Sequence, residues 1–186
     1  KVKDRQVKDF CSTVAKVIAG NDHKITNQSP QFRELIALWR YIIQKMKASS
    51  PGLSSFWGKK ALQLTEAMEQ ERSIFKRHTI TFNDYMNTAV YSIGVIFILT
   101  TYLVKKSISR SVLRELEPSL LVGATIARLS NDIASYRQNK NKINAVSIIG
   151  NKTNPMKYIA GLLVREQQKL NRGLKQVNIQ NGIKQT

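Results

Sequence analysis

Hydrophobic positions recur along this chain at intervals of three and four, the spacing that gathers apolar side chains on one face of a helix. Phe32, Leu35, Ile36, Trp39, Ile43 and Met46 form one such stripe, predicted to continue to about Ala48. Its start is marked by Ser29-Pro30, a capping side chain followed by proline at the first helical position. Upstream, Phe10 to Ala19 reads as the end of a first helix, closed by Gly20-Asn21. Ser49-Ser50-Pro51-Gly52 then breaks the chain. Trp57, Ala61, Leu64, Met68 and Phe75 mark the next helix, and its charged residues fall largely outside that stripe.

Thr81 with Asp84 three residues on has the form of a cap opening another helix. From Met86 to Val104 there follow nineteen residues without a charge, close to the ~20 that span a bilayer. Ser92, Gly94, Thr100 and Thr101 within the run, and amphipathic helices on either side, favour a buried core helix over a membrane span. Glu117-Pro118-Ser119 predicts the start of a further helix, and Asn154-Pro155 that of the last, with Ile159, Leu163, Leu170, Leu174 and Val177 on one side. No alternating strand pattern and no internal repeat interrupts this series. The expectation is an all-α helical bundle, with residues 1–186 as a single domain.

Charge changes the range of partners to consider. Thirty Lys and Arg face twelve Asp and Glu, a net charge of +18, and such a field draws polyanions. The basic residues are scattered, however, and no zinc-finger spacing, basic zipper or RNA-recognition signature accompanies them. A solvated basic surface is the reading preferred over a specific nucleic-acid site, with a basic helical nucleic-acid-binding module as one alternative function and a single-pass membrane protein spanning 86–104 as another. Cys11 is the one cysteine, so no intrachain disulfide forms, and a reducing, cytoplasmic setting is expected. Lys1-Val2-Lys3-Asp4-Arg5 lacks both a start methionine and the apolar stretch of a signal peptide, so the chain reads as a fragment.

The candidate chemistry lies in Arg128-Leu129-Ser130-Asn131-Asp132-Ile133-Ala134-Ser135-Tyr136-Arg137-Gln138-Asn139. On a helix, Asn131, Ser135 and Asn139 fall one turn apart on one face. Three oxygen-bearing side chains in a row suit a hard divalent cation, and the basic residues around them suit its anion. The bland alternative is a polar strip between packed helices.

The surrounding sequence resembles the class I terpene synthases. Arg128 to Ser135 looks like their second metal motif, Asn/Asp-Asp-x-x-Ser/Thr-x-x-x-Glu, and Lys142-Ile143-Asn144-Ala145-Val146-Ser147 is similar to the stretch that follows it. Thr81-Phe82-Asn83-Asp84-Tyr85-Met86 followed by Ser92-Ile93-Gly94-Val95 looks like the lead into their kinked helix, where a Ser/Thr-x-Gly break lies beside the substrate. The resemblance implies the isoprenoid-synthase helical bundle, here without its N-terminal helices. It also implies ionisation of a prenyl diphosphate with Mg2+, or Mn2+ in its place, and steering of the allylic cation to a terpene.

Carried over residue by residue, the resemblance makes Asn131, Ser135 and Asn139 metal ligands. Arg128 and Arg137 become diphosphate contacts, or in the case of Arg128 a group that orients the motif. Tyr85, Tyr91, Gly94 and Phe97 become candidates for the substrate cavity, with core packing the preferred role for any one of the aromatic residues, and Asp132 is an acidic neighbour with a structural role. Three departures weaken the implied activity. Asn139 stands where the family has Glu, which costs metal affinity a factor of about ten or more. The family's arginine sensor for diphosphate falls on Ala89, and its aspartate-rich motif would lie ahead of Lys1.

Overall fold

A computed structural model of the chain describes residues 4–21, 30–76, 79–106, 108–138, 143–150 and 154–180. Eight helices and no strand occur among the described residues: α1 (Asp4–Ile18), α2 (Pro30–Ser49), α3 (Pro51–Ile74), α4 (Phe82–Ser92), α5 (Val95–Lys105), α6 (Arg110–Gln138), α7 (Ala145–Ile149) and α8 (Pro155–Gln180). The all-α reading holds.

Local signals set several boundaries where the sequence predicts them. The first helix ends as Gly20 enters the left-handed region at φ 85° and the Asn21 N–H donates to the Lys16 carbonyl at 3.0 Å. Pro51 opens α3 behind Ser50. The Asp84 N–H donates to Thr81 Oγ1 at 3.1 Å, which caps α4. Ser29, the expected cap of α2, lies outside the described residues.

One boundary differs. Glu117-Pro118-Ser119 does not begin a helix; α6 starts at Arg110 and carries Pro118 in its interior. The capping residue is Ser109, whose Oγ accepts from the Val112 N–H. Proline removes one i→i−4 hydrogen bond, but Leu113, Ser119 and Leu120 on either side are buried, and their packing holds the helix through it.

The uncharged run is two helices. Gly94 takes φ 79°, receiving the end of α4 through its N–H to the Tyr91 carbonyl and starting α5 through its carbonyl from the Ile98 N–H at 3.0 Å. A residue with a Cβ resists that conformation. Phe82–Lys105 has the length and composition of a membrane span, yet the break divides it and each half packs within the bundle.

Apolar side chains gather on both sides of this break. One core joins α1, α2, α3 and α5 with the start of α6, around Val14, Ile36, Trp57, Ala61, Val104 and Leu113. Within it the rings of Trp39, Trp57 and Phe97 meet at centroid distances of 5.3 to 6.3 Å. The Trp57 indole N–H, otherwise stranded in that core, donates to Thr101 Oγ1 at 2.8 Å. The second core joins α4, α7, α8 and the later turns of α6, around Tyr85, Ala89, Leu129, Val146 and Ile159. The helix α6 runs past both, and in this way the segment from Arg128 onward is carried to one end of the bundle against α4 and α7.

Candidate functional site

Asp132 is 1% exposed, and a carboxylate withdrawn from water requires partners. It has three. The Tyr85 hydroxyl donates to Oδ2 at 2.7 Å, the Ala145 N–H donates to the same oxygen at 3.0 Å, and Arg128 Nε lies 3.1 Å from Oδ1. The guanidinium of Arg128 also meets Glu71 of α3 at 2.8 Å and the Tyr85 oxygen, and it stacks 5.0 Å from the centre of the Tyr85 ring. Four helices are thereby tied at one point. Spacing alone makes Arg128 and Asp132 neighbours one turn apart; the fold supplies Glu71 and Tyr85.

The electrostatics follow from that enclosure. Burial pushes the Tyr85 phenol far above its ordinary value, the positive charge of Arg128 opposing the rise and the carboxylate of Asp132 adding to it, so it acts as a neutral donor. Desolvation pulls Arg128 down, but the Tyr85 oxygen, Asp132 and Glu71 together outweigh it and hold the guanidinium charged. The Arg128 guanidinium is thus shared between Asp132 of its own helix and Glu71 of α3, beneath the predicted ligand strip.

Above this cluster sit the predicted ligands. Asn131 is exposed, and Ser135 is half-buried one turn further along. Ser135 Oγ donates to the Asp132 carbonyl at 3.1 Å and lies 3.5 Å from the Asn144 side-chain nitrogen, so its rotamer is held from two sides. Asn144 is itself fully buried as the cap of α7, its Oδ1 accepting from the Ser147 N–H while Ser147 Oγ accepts from the Asn144 N–H. Asn139, Lys140 and Lys142 lie outside the described residues, as does the side chain of Arg137.

The other predicted site residues separate. Tyr91 lines two neighbouring cavities, one of ≈ 250 Å³ among α4, α6 and α8 and one of ≈ 330 Å³ that also takes in Lys60, Ile96 and Glu117. Tyr85 lines neither; it spends its hydroxyl on Arg128 and Asp132. Phe97 belongs to the tryptophan cluster, and Gly94 forms the helix break. Ala89, where the family's arginine sensor would fall, is fully buried beside Tyr85.

Sequence reasoning missed Glu71 and the role of Asn144. Glu71 is far from Arg128 along the chain and gives no local signal. Asn144, by contrast, is readable as the first residue of an Asn-x-x-Ser capping box.

Donor chemistry tests the expected metal. No group of three or more His, Cys, Asp or Glu suited to a metal ion occurs among the described residues. The two placed donors are neutral oxygens, while the nearest carboxylates are engaged with Arg128. Such a set fits a hard cation that arrives with an anion supplying the charge, and it does not fit a free-standing metal cage.

An all-α bundle with a helix broken at Gly94 and an Asn-x-x-x-Ser strip anchored on a buried Arg–Asp pair has the layout that the sequence resemblance implies. The comparison with known families is more particular. Residues 3–154, most of the chain, match the terpene synthase family 2, C-terminal metal binding, and the chain belongs to that family. No curated protein matches it closely enough to name a nearer relative.

Proposed function

We propose that this chain forms one wall of the active site of a class I terpene synthase acting on a prenyl diphosphate. In this reading Asn131 Oδ1 and Ser135 Oγ hold Mg2+, with Asn139 as the third donor in place of the family's glutamate. Magnesium bound there would supply the Lewis acidity that eases departure of the diphosphate and leaves an allylic cation. Arg128 orients the strip through Asp132 and Glu71; with its guanidinium so engaged, contact with diphosphate falls to Arg137. Tyr91, on the ≈ 250 Å³ cavity among α4, α6 and α8, faces the hydrocarbon tail and excludes water from it.

The observation that carries the reading is the exposed Asn131 one turn before Ser135, on a helix whose buried side is pinned at Asp132, in a chain that belongs to a metal-binding terpene synthase family. Assays of diphosphate release from geranyl, farnesyl and geranylgeranyl diphosphate, with Mg2+ and with Mn2+ and with an upstream aspartate-rich segment joined to the chain, test it. Metal-dependent release is expected from at least one substrate, with Asn131→Ala reducing it by a factor of about 100, as loss of one charge-stabilising contact does. Failure of all three substrates with either metal removes catalysis and leaves a degenerate relative.

A further inference from the structure

The water-facing side of α5 is apolar. Its inner face, Ile96, Thr100 and Val104, is buried, yet its outer face carries Ile98 at 63% exposure, Tyr102 at 57% and Leu99 at 39%. These three recur one turn apart or side by side, so they form a continuous strip. Basic residues follow at once: Lys105 and Lys106 at the end of α5, then Arg110 and Arg114 in the first turns of α6, all exposed. From Tyr85 to Arg114 the chain has no acidic residue, and Glu115 is the first to appear.

We propose that this strip docks on the surface of an anionic lipid bilayer, Ile98, Leu99 and Tyr102 entering the interface while Lys105, Lys106, Arg110 and Arg114 meet phosphate headgroups. The order along the chain is aliphatic, aromatic, cationic, which follows the polarity gradient from acyl chain to headgroup. The Lys106 ammonium sits 5.6 Å over the Tyr102 ring, joining the aromatic and cationic levels. Charge selects among occupants: at +18 per chain, two copies repel, whereas an anionic leaflet attracts the whole molecule as well as this edge. The helix does not span. Gly94 interrupts it, and its inner face is already packed against the bundle, so the contact is peripheral.

Cosedimentation with phosphatidylcholine vesicles, with and without phosphatidylserine, tests this on the intact chain. Binding to the anionic vesicles is expected, falling as salt rises. Because net charge alone would give some adsorption, the decisive variant is Ile98→Ser/Tyr102→Ser, which leaves charge unchanged and should weaken partitioning about tenfold or more. Lys105→Gln/Lys106→Gln should weaken it to a similar degree, each basic residue beside an anionic leaflet being worth about fivefold. A control pair on the exposed face of α2, Leu38→Ser/Tyr41→Ser, should leave binding within about twofold of the parent chain. All these residues are exposed, and circular dichroism checks that each variant remains folded. Absence of binding, binding that Ile98→Ser/Tyr102→Ser leaves intact, or self-association that this pair abolishes would each overturn the proposal.

Discussion

Asn131 and Asp132 show how a motif residue and its neighbour divide their work. Asn131 faces water and touches no core; Asp132, next in sequence, is enclosed and holds α4, α6 and α7 together through Tyr85, Arg128 and the Ala145 N–H. Asp132→Asn keeps the shape but removes the charge facing Arg128, whose remaining carboxylate is Glu71. Breaking a buried pair costs 3–5 kcal/mol where nothing else compensates, so a loss of about 2–4 kcal/mol is expected. Asn131→Ala should fall within about 0.5 kcal/mol of the parent, as exposed substitutions do. Urea unfolding curves measure both. The reverse order would mean that the structural and surface roles are exchanged. A smaller effect is expected at Glu71, which is partly solvated and shares Arg128 with two other groups.

Among the elements, α4 and α5 carry the sharpest consequence of a single residue. A Cβ at Gly94 would meet Leu64 Cδ1 at 3.8 Å, an ordinary contact, so the cost of Gly94→Ala is conformational alone. A left-handed alanine costs about 1–2 kcal/mol, and thermal unfolding should register a loss of that size with the helical content retained. The uncharged run by itself reads as one buried helix, and only the resemblance marks the Ser92-x-Gly94 break; the cap at Thr81 and the break at Ser49-Ser50-Pro51-Gly52 were legible, because each signal lies within four residues of the boundary it marks. The start of α6 was not. Pro118 behind Glu117 carries the local signature of a helix start, and only the burial of Leu113, Ser119 and Leu120 against other elements overrides it. The site divides in the same way. Asn131, Ser135, Arg128 and Asp132 share one helix and could be related by counting turns, whereas the Glu71 contact and the commitment of Tyr85 to Asp132 depend on how α3 and α4 pack. Tyr85 and Phe97 leave cavity and core both open for the same reason, an aromatic residue in a helical stripe not revealing which it faces, and each belongs to one of the two cores.

At the scale of the whole molecule the charge dominates. A net +18 over 186 residues means that cations outnumber anions by 30 to 12, and the compact state bears their repulsion more than the extended chain does. Among the described residues the ion pairs that oppose it differ in burial: Arg128 with Asp132 and Glu71 is sheltered, Lys60 with Glu117 is enclosed only on the lysine side, and Lys169 with Glu166 is a pair within one helix whose lysine is exposed. Salt screens scattered surface charges first, because the Debye length shrinks to about 10 Å at 0.1 M while enclosed pairs remain largely unscreened. Added sodium chloride should therefore remove repulsion without removing the buried attractions, and the chain should become more stable. If screening recovers about 1–2 kcal/mol, the melting temperature rises by about 2–6 °C between low and physiological salt. Differential scanning calorimetry across a chloride series measures this, with Asp132→Asn as the comparison. That variant loses a buried attraction yet gains net positive charge, so its melting temperature should start lower and rise at least as steeply with salt. A melting temperature that instead falls with salt would show that surface ion pairs, and not the scattered cations, govern the electrostatic part of stability.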